Sequence, residues 1–92
     1  MITIQHGSKS FYVGESEVKP LAEMVFSYPE EGIINIEHTI VSDALRGQNV
    51  GRQLLQKIVE MARAENKKIV PYCPFAKAEM LKNKEYEDVL HV

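Results

Sequence analysis

The 92-residue sequence has a single cysteine, which excludes a framework of internal disulfides and fits a reducing compartment. It has no surplus of positive charge. Eleven basic against thirteen acidic side chains leave a formal charge of −2 with no basic run, so nucleic acid is not expected as a partner. No apolar run approaches the roughly 20 residues that span a bilayer, and the N-terminal residues lack a charged-then-apolar leader pattern. A cytoplasmic protein without membrane attachment is expected. No His, Cys, Asp and Glu side chains have metal-ligand spacing, and no metal is expected. Repeats, linkers and low-complexity tracts are also lacking. Residues 1–92 therefore read as one small domain with a modest core.

What remains is an ordinary globular composition, 45% hydrophobic and 26% charged, arranged around one stretch. Leu45 to Leu55 reads L-R-G-Q-N-V-G-R-Q-L-L. A loop with Arg46, Gly47, Gln48 and Asn49 meets Gly51 and runs directly into an apolar-periodic segment. The first turn of a helix leaves its N–H groups unpaired and carries the positive end of the dipole, so an anion such as phosphate suits it. Arg46 and Arg52 flank the turn and can add charge-assisted hydrogen bonds. The plain alternative is a solvated helix start.

The periodicities around this loop predict an α/β fold. Ile2–His6 and Ser10–Gly14 read as a β-hairpin. In Leu21–Tyr28, Val25, Phe26 and Tyr28 favour a strand with Ala22, Met24, Phe26 and Tyr28 on its apolar face. Ile33 to Val41 is the clearest strand, with Ile34, Ile36, His38 and Ile40 on one face and Asn35, Glu37 and Thr39 on the other. Val50 to about Glu65 is a helix whose Leu54, Leu55, Ile58, Val59 and Ala62 form an apolar stripe. Lys68–Tyr72 is a short strand, and Phe75–Asn83 a second helix packed through Ala78, Met80 and Leu81. The remainder closes against the domain edge. Strand, helix and strand form a β-α-β unit, and such crossovers join parallel strands. Ligands of open α/β sheets bind beyond the carboxyl ends of the strands, where both the loop and Cys73 fall.

The loop resembles the acyl-CoA-binding motif Q/R-x-x-G-x-G/A of the GNAT superfamily of N-acetyltransferases. Arg46 stands at the first position, Gly51 at the last, and Asn49 where the middle glycine usually sits. Asn tolerates positive φ better than other non-glycine residues. The segments I-E-H-T-I-V (Ile36 to Val41), L-R-G-Q-N-V-G (Leu45 to Gly51), P-Y-C-P-F (Pro71 to Phe75) and E-Y-E-D-V (Glu85 to Val89) resemble the minimal, single-domain GNAT-related family more closely. The resemblance implies a pared-down fold: antiparallel N-terminal strands, then the β-α-β unit and a C-terminal helix, without the segment that helps form the acceptor site in larger members. It implies acetyl-CoA or coenzyme A as cofactor, bound by backbone of Ile40 and Val41 and by Arg46, Gly47, Gln48, Asn49, Val50, Gly51 and Arg52, with Cys73 at the acyl end. An amine, small molecule or protein, would be the acceptor for a monomer or weak dimer.

The catalytic residues each carry more than one reading. His38 is either a satisfied histidine among isoleucines or a general base toward the amine, a role its pKa range suits. Cys73 is a small buried hydrophobe, a wall of the acyl pocket, or a covalent acyl acceptor, which needs thiolate character. Glu23 and Glu37 are alternative bases, Tyr72 and Tyr86 alternative acids, and Lys77 an additional phosphate contact, each with solvation or packing as its ordinary role. Beside the N-acetyltransferase stand a CoA-binding sensor or interaction module and a purely structural domain. Whether His38 and Cys73 face one cavity is left open.

Overall fold

The computed structural model describes residues 2–91. Five strands form one sheet in sequence order: β1 (Gln5–His6), β2 (Ser10–Val13), β3 (Ala22–Ser27), β4 (Ile33–Val41) and β5 (Lys68–Pro71). The first four run antiparallel to their neighbours, and β5 lies parallel to β4. Helix α1 (Val50–Glu65) makes the crossover between them, and α2 (Pro74–Lys82) follows β5. After a short helical turn at Lys84–Tyr86, Leu90 bridges Ile69 in parallel and extends the sheet edge.

The core lies between the helices and one face of this sheet. Phe11, Val13, Ala22, Met24, Phe26, Ile34 and Ile36 point inward from the strands. Val50, Leu54, Leu55, Ile58, Val59, Met61 and Ala62 meet them from α1 as one apolar stripe, and Ala76 and Met80 from α2. The Asn66 backbone in the left-handed region (φ 56°) ends α1, its N–H bonded to the Ala62 and Arg63 carbonyls. The mixed sheet, the crossover and both helices stand as the periodicities predicted, although β1 is only two residues long.

Two expectations on side-chain placement are corrected. His38 and Ile40 do not share the buried face of Ile34 and Ile36. On β3, Phe26 pairs with Ile36 and the next residue, Val25, pairs with His38, so Glu37 is an extra residue, a β-bulge. Glu37 and His38 both lie on the outer face, where the Glu37 carboxylate accepts from the Ser27 hydroxyl at 2.5 Å. Parity reverses beyond the bulge: Thr39 pairs with buried Met24, while Ile40 pairs with Glu23 and is 56% exposed. On α2, Ala78 and Leu81 face solvent, and the buried residues are Ala76, Glu79 and Met80.

Candidate functional site

The site begins where β4 and β5 part. Their pairing runs from Ile33 opposite Lys68 to Ile36 opposite Pro71 and stops there. The N–H groups of Tyr72 (3.0 Å) and Cys73 (3.2 Å) then share the carbonyl of Ile36 as acceptor. β4 continues to Val41 bonded only to β3, so Glu37–Val41 keep one free backbone edge among the described residues. The bulge stands at the point of divergence, as expected of a feature that bends its strand and raises its twist. Ile40 and Val41, the strand-end residues singled out in the sequence, border this opening and are exposed.

The loop reaches the same end of the sheet. A short helical turn, Asp43–Leu45, is capped by the Ser42 hydroxyl, which accepts from the Ala44 N–H at 3.2 Å. Gly47 follows at φ 85° and Asn49 at φ 54°, ψ 35°. Asn49 thus adopts the left-handed conformation at the N-cap of α1, where glycine or asparagine is tolerated. No side chain caps this helix end, and its first turn has N–H groups without intrahelical acceptors. The Gln53 side chain is tied back to the Gln48 carbonyl at 2.8 Å, which fixes the loop against the helix. Gly51 has a steric reason: an added Cβ would stand 2.9 Å from the Phe75 ring, which rests on this turn.

The two arginines differ in their surroundings. Arg46 pairs with Asp43 at 2.7 Å, both side chains being largely exposed. Such a pair is worth little and leaves the guanidinium free to exchange partners. Arg52 instead lies beside the buried carboxylate of Glu79 on α2, with Nε 3.4 Å from Oε1. Lys82 Nζ stands 2.8 Å from the other carboxylate oxygen.

Cys73 and His38 flank β4 from opposite faces and do not share a cavity. Cys73 is buried at the N-cap of α2, its Sγ 3.2 Å from the Thr39 hydroxyl on the inner face. His38 is exposed on the outer face, at the end of the cross-strand row Ser10–Val25–His38. It lines an open cavity of about 480 Å³ with Ser8, Lys9, Glu17, Val18, Glu23 and Val25. The Glu17 carboxylate forms one wall by accepting from the N–H groups of Lys9 and Ser8 and the Ser10 hydroxyl. Those donors hold its pKa at about 2, against 4.5 for an ordinary glutamate.

The other candidates scatter. Glu23 is half-buried in the His38 cavity, and Glu37 is engaged with Ser27. Tyr72 is exposed and Tyr86 buried. Lys77 borders a separate hollow with Val70, Leu81 and Leu90. No three His, Cys, Asp or Glu side chains converge as metal ligands among the described residues. No helix among them is long and apolar enough to cross a membrane. Sequence reasoning missed Thr39, Phe75 and Glu79. Thr39 was within reach, since it follows His38 directly, but simple alternation put it on the wrong face.

The chain and its fold have known relatives. A family model described as GCN5-related N-acetyl-transferase matches residues 10–89. The chain is 43% identical to a GCN5-like, proposed N-acetyltransferase from Staphylococcus aureus whose solution structure was determined by NMR. The likeness covers 98% of this chain and 88% of that one, with a TM-score of 0.83. Among curated proteins none matches. With the family matched over most of the chain, the protein belongs to the GCN5-related N-acetyltransferases, a family of acyl-transferring enzymes.

Proposed function

We propose that the protein binds acetyl-CoA in the opening between β4 and β5 and transfers the acetyl group to an amine. The observation that carries this reading is the parting of the strands at Ile36, with the α1 N-terminus at the same end. An extended pantetheine arm can add to the free edge at Ile40 and Val41 as a further strand does, through main-chain groups. The pyrophosphate then falls to the first-turn N–H groups of α1 and the loop from Arg46 to Arg52. The fit is supported by an uncapped helix end and by an arginine on each side of it.

The chemistry follows from what flanks the edge. With acetyl-CoA bound, an amine attacking the thioester carbonyl would form the C–N bond as the C–S bond breaks, and His38 on the outer face would accept the amine's proton and return it to the departing thiolate. On the inner face, Thr39 and Cys73 hold each other by their hydrogen bond and close the acyl end. Cys73 is 4% exposed, which favours the wall of an acyl pocket over an attacking sulfur that needs open approach. The lone cysteine fits a cytoplasmic protein, monomer or weak dimer, acting as one domain over residues 1–92.

Calorimetric titration with acetyl-CoA, followed by acetyl transfer to a panel of amines, tests the reading. His38→Ala is expected to lower transfer on the order of 10²-fold or more at neutral pH while leaving acetyl-CoA binding intact. Thr39→Val and Cys73→Ala are expected to lower transfer less, and no acetyl adduct of Cys73 is expected by mass spectrometry. Undiminished transfer by His38→Ala would remove it as base. Binding without transfer to any amine would instead favour a CoA-binding module, which the uncovered outer face of the sheet also suits.

A further inference from the structure

Glu79 is a buried carboxylate with no part in the proposed transfer. It sits on α2 with its side chain 9% exposed. A carboxylate taken out of water must be paired and hydrogen-bonded. Two cations compensate it: Lys82 from the next turn of α2, and Arg52 from the first turn of α1. Its Oε1 has no hydrogen-bond partner among the described residues, and Arg52 Nε is the cationic group facing that oxygen. Drawing Arg52 away would leave that oxygen buried with no facing charge, so the carboxylate attracts the arginine to this position.

The direction of this hold matters. Nε is the guanidinium nitrogen closest to Glu79, 3.4 Å from Oε1, a charge contact without a hydrogen bond. The side chain is 48% exposed and borders a shallow cavity of about 290 Å³ with Gln48, Asn49, Gln53 and Gln56. A guanidinium whose Nε side lies against a buried carboxylate keeps its Nη donors for a second partner and loses less freedom on meeting it. Arg46, paired with exposed Asp43, has no such anchor.

We infer that Glu79 is a positioning residue for the phosphate end of the CoA site, fixing Arg52 across the α1–α2 contact so that its outer donors face the phosphates. The inference rests on the loop from Arg46 to Arg52 being that site. Lys82 offsets the charge of Glu79, so the carboxylate orients the arginine without cancelling the attraction of the loop for an anion.

Calorimetry of the full chain with free CoA, on wild type, Glu79→Gln, Arg52→Gln and the double variant, tests it. Glu79→Gln is expected to weaken binding about fivefold or more, the scale of a loosened charge-assisted contact. In the Arg52→Gln background the same change is expected to have no further effect. With acetyl-CoA as substrate, Glu79→Gln raises KM and leaves kcat within about twofold, a split that general loosening of the fold does not produce. Arg52→Lys, half-exposed and safe for folding, keeps the charge but lacks the fork, and is expected to lose as much as Glu79→Gln. Tighter binding by Glu79→Gln would mean that the carboxylate competes with phosphate. Equal losses with and without Arg52, or Arg52→Lys binding as wild type does, would also overturn the inference. Those results leave the CoA site standing, whereas a wild-type protein that takes up no CoA overturns both.

Discussion

Glu17 illustrates how one side chain can stand in for a missing stretch of structure. The β1–β2 turn is short and polar, and its N–H groups at Ser8 and Lys9 are satisfied by a carboxylate from the next loop. An added Cβ at Gly7 would stand 2.4 Å from that carboxylate, so glycine makes room for it. The folded pKa is about 2 and the ordinary value 4.5, so the folded state favours the ionised form. Its stabilising effect is complete above pH 4.5 and is lost as the pH falls toward about 2. Glu17→Gln is therefore expected to lower the urea midpoint at pH 7, and the gap to wild type should narrow as the pH drops through that window. A gap that is the same at pH 7 and near pH 2 would show that the carboxylate acts by shape alone. None of this was legible in the sequence, where Glu15 to Pro20 reads only as a polar break. The capping partner is seven to nine residues away and carries no periodic signal.

Elements were read more easily than their faces. The bounds of β4 and α1, Ile33–Val41 and Val50–Glu65, coincide with the expected ones because each carries a long, unbroken period. The turn-forming residues before each mark where it begins. The bulge at Glu37 escaped, because an inserted residue changes register without changing composition. Counting by twos from Ile36 then put His38 inside and Thr39 outside, the reverse of what the fold does. Helix α2 was misread for a related reason: its buried Glu79 is held inside by Arg52 of another helix, a contact that no local pattern announces. Deleting Glu37 tests what the bulge does. The ladder would become regular on both sides, with His38 still opposite Val25 and Ile36 opposite Phe26. The fold is expected to survive, while the straightened β4 closes on β5 and CoA uptake falls at least about tenfold, or roughly 1.4 kcal/mol. Unchanged uptake in a calorimetric titration would separate the bulge from the cleft.

At the scale of the whole molecule, one small core supports everything. Ile34, Ile36, Leu54, Leu55 and Ile69 have no exposed surface, and both helices pack on the one inner face of the sheet. Ile36 is the critical member, since its side chain fills the core while its carbonyl binds the N–H groups of both Tyr72 and Cys73. Ile36→Ala is expected to cost about 2–5 kcal/mol, a large part of the ~5–15 kcal/mol that holds a domain of this size. Urea denaturation checks the figure, and a loss under about 1 kcal/mol would mean that the core collapses around the gap. The free edge of β4 has a consequence of another kind, for how such sequences can drift. A ligand laid along Ile40 and Val41 meets N–H and C=O groups that every residue except proline carries in full. Side chains there can be exchanged over generations while the recognition they frame stays the same.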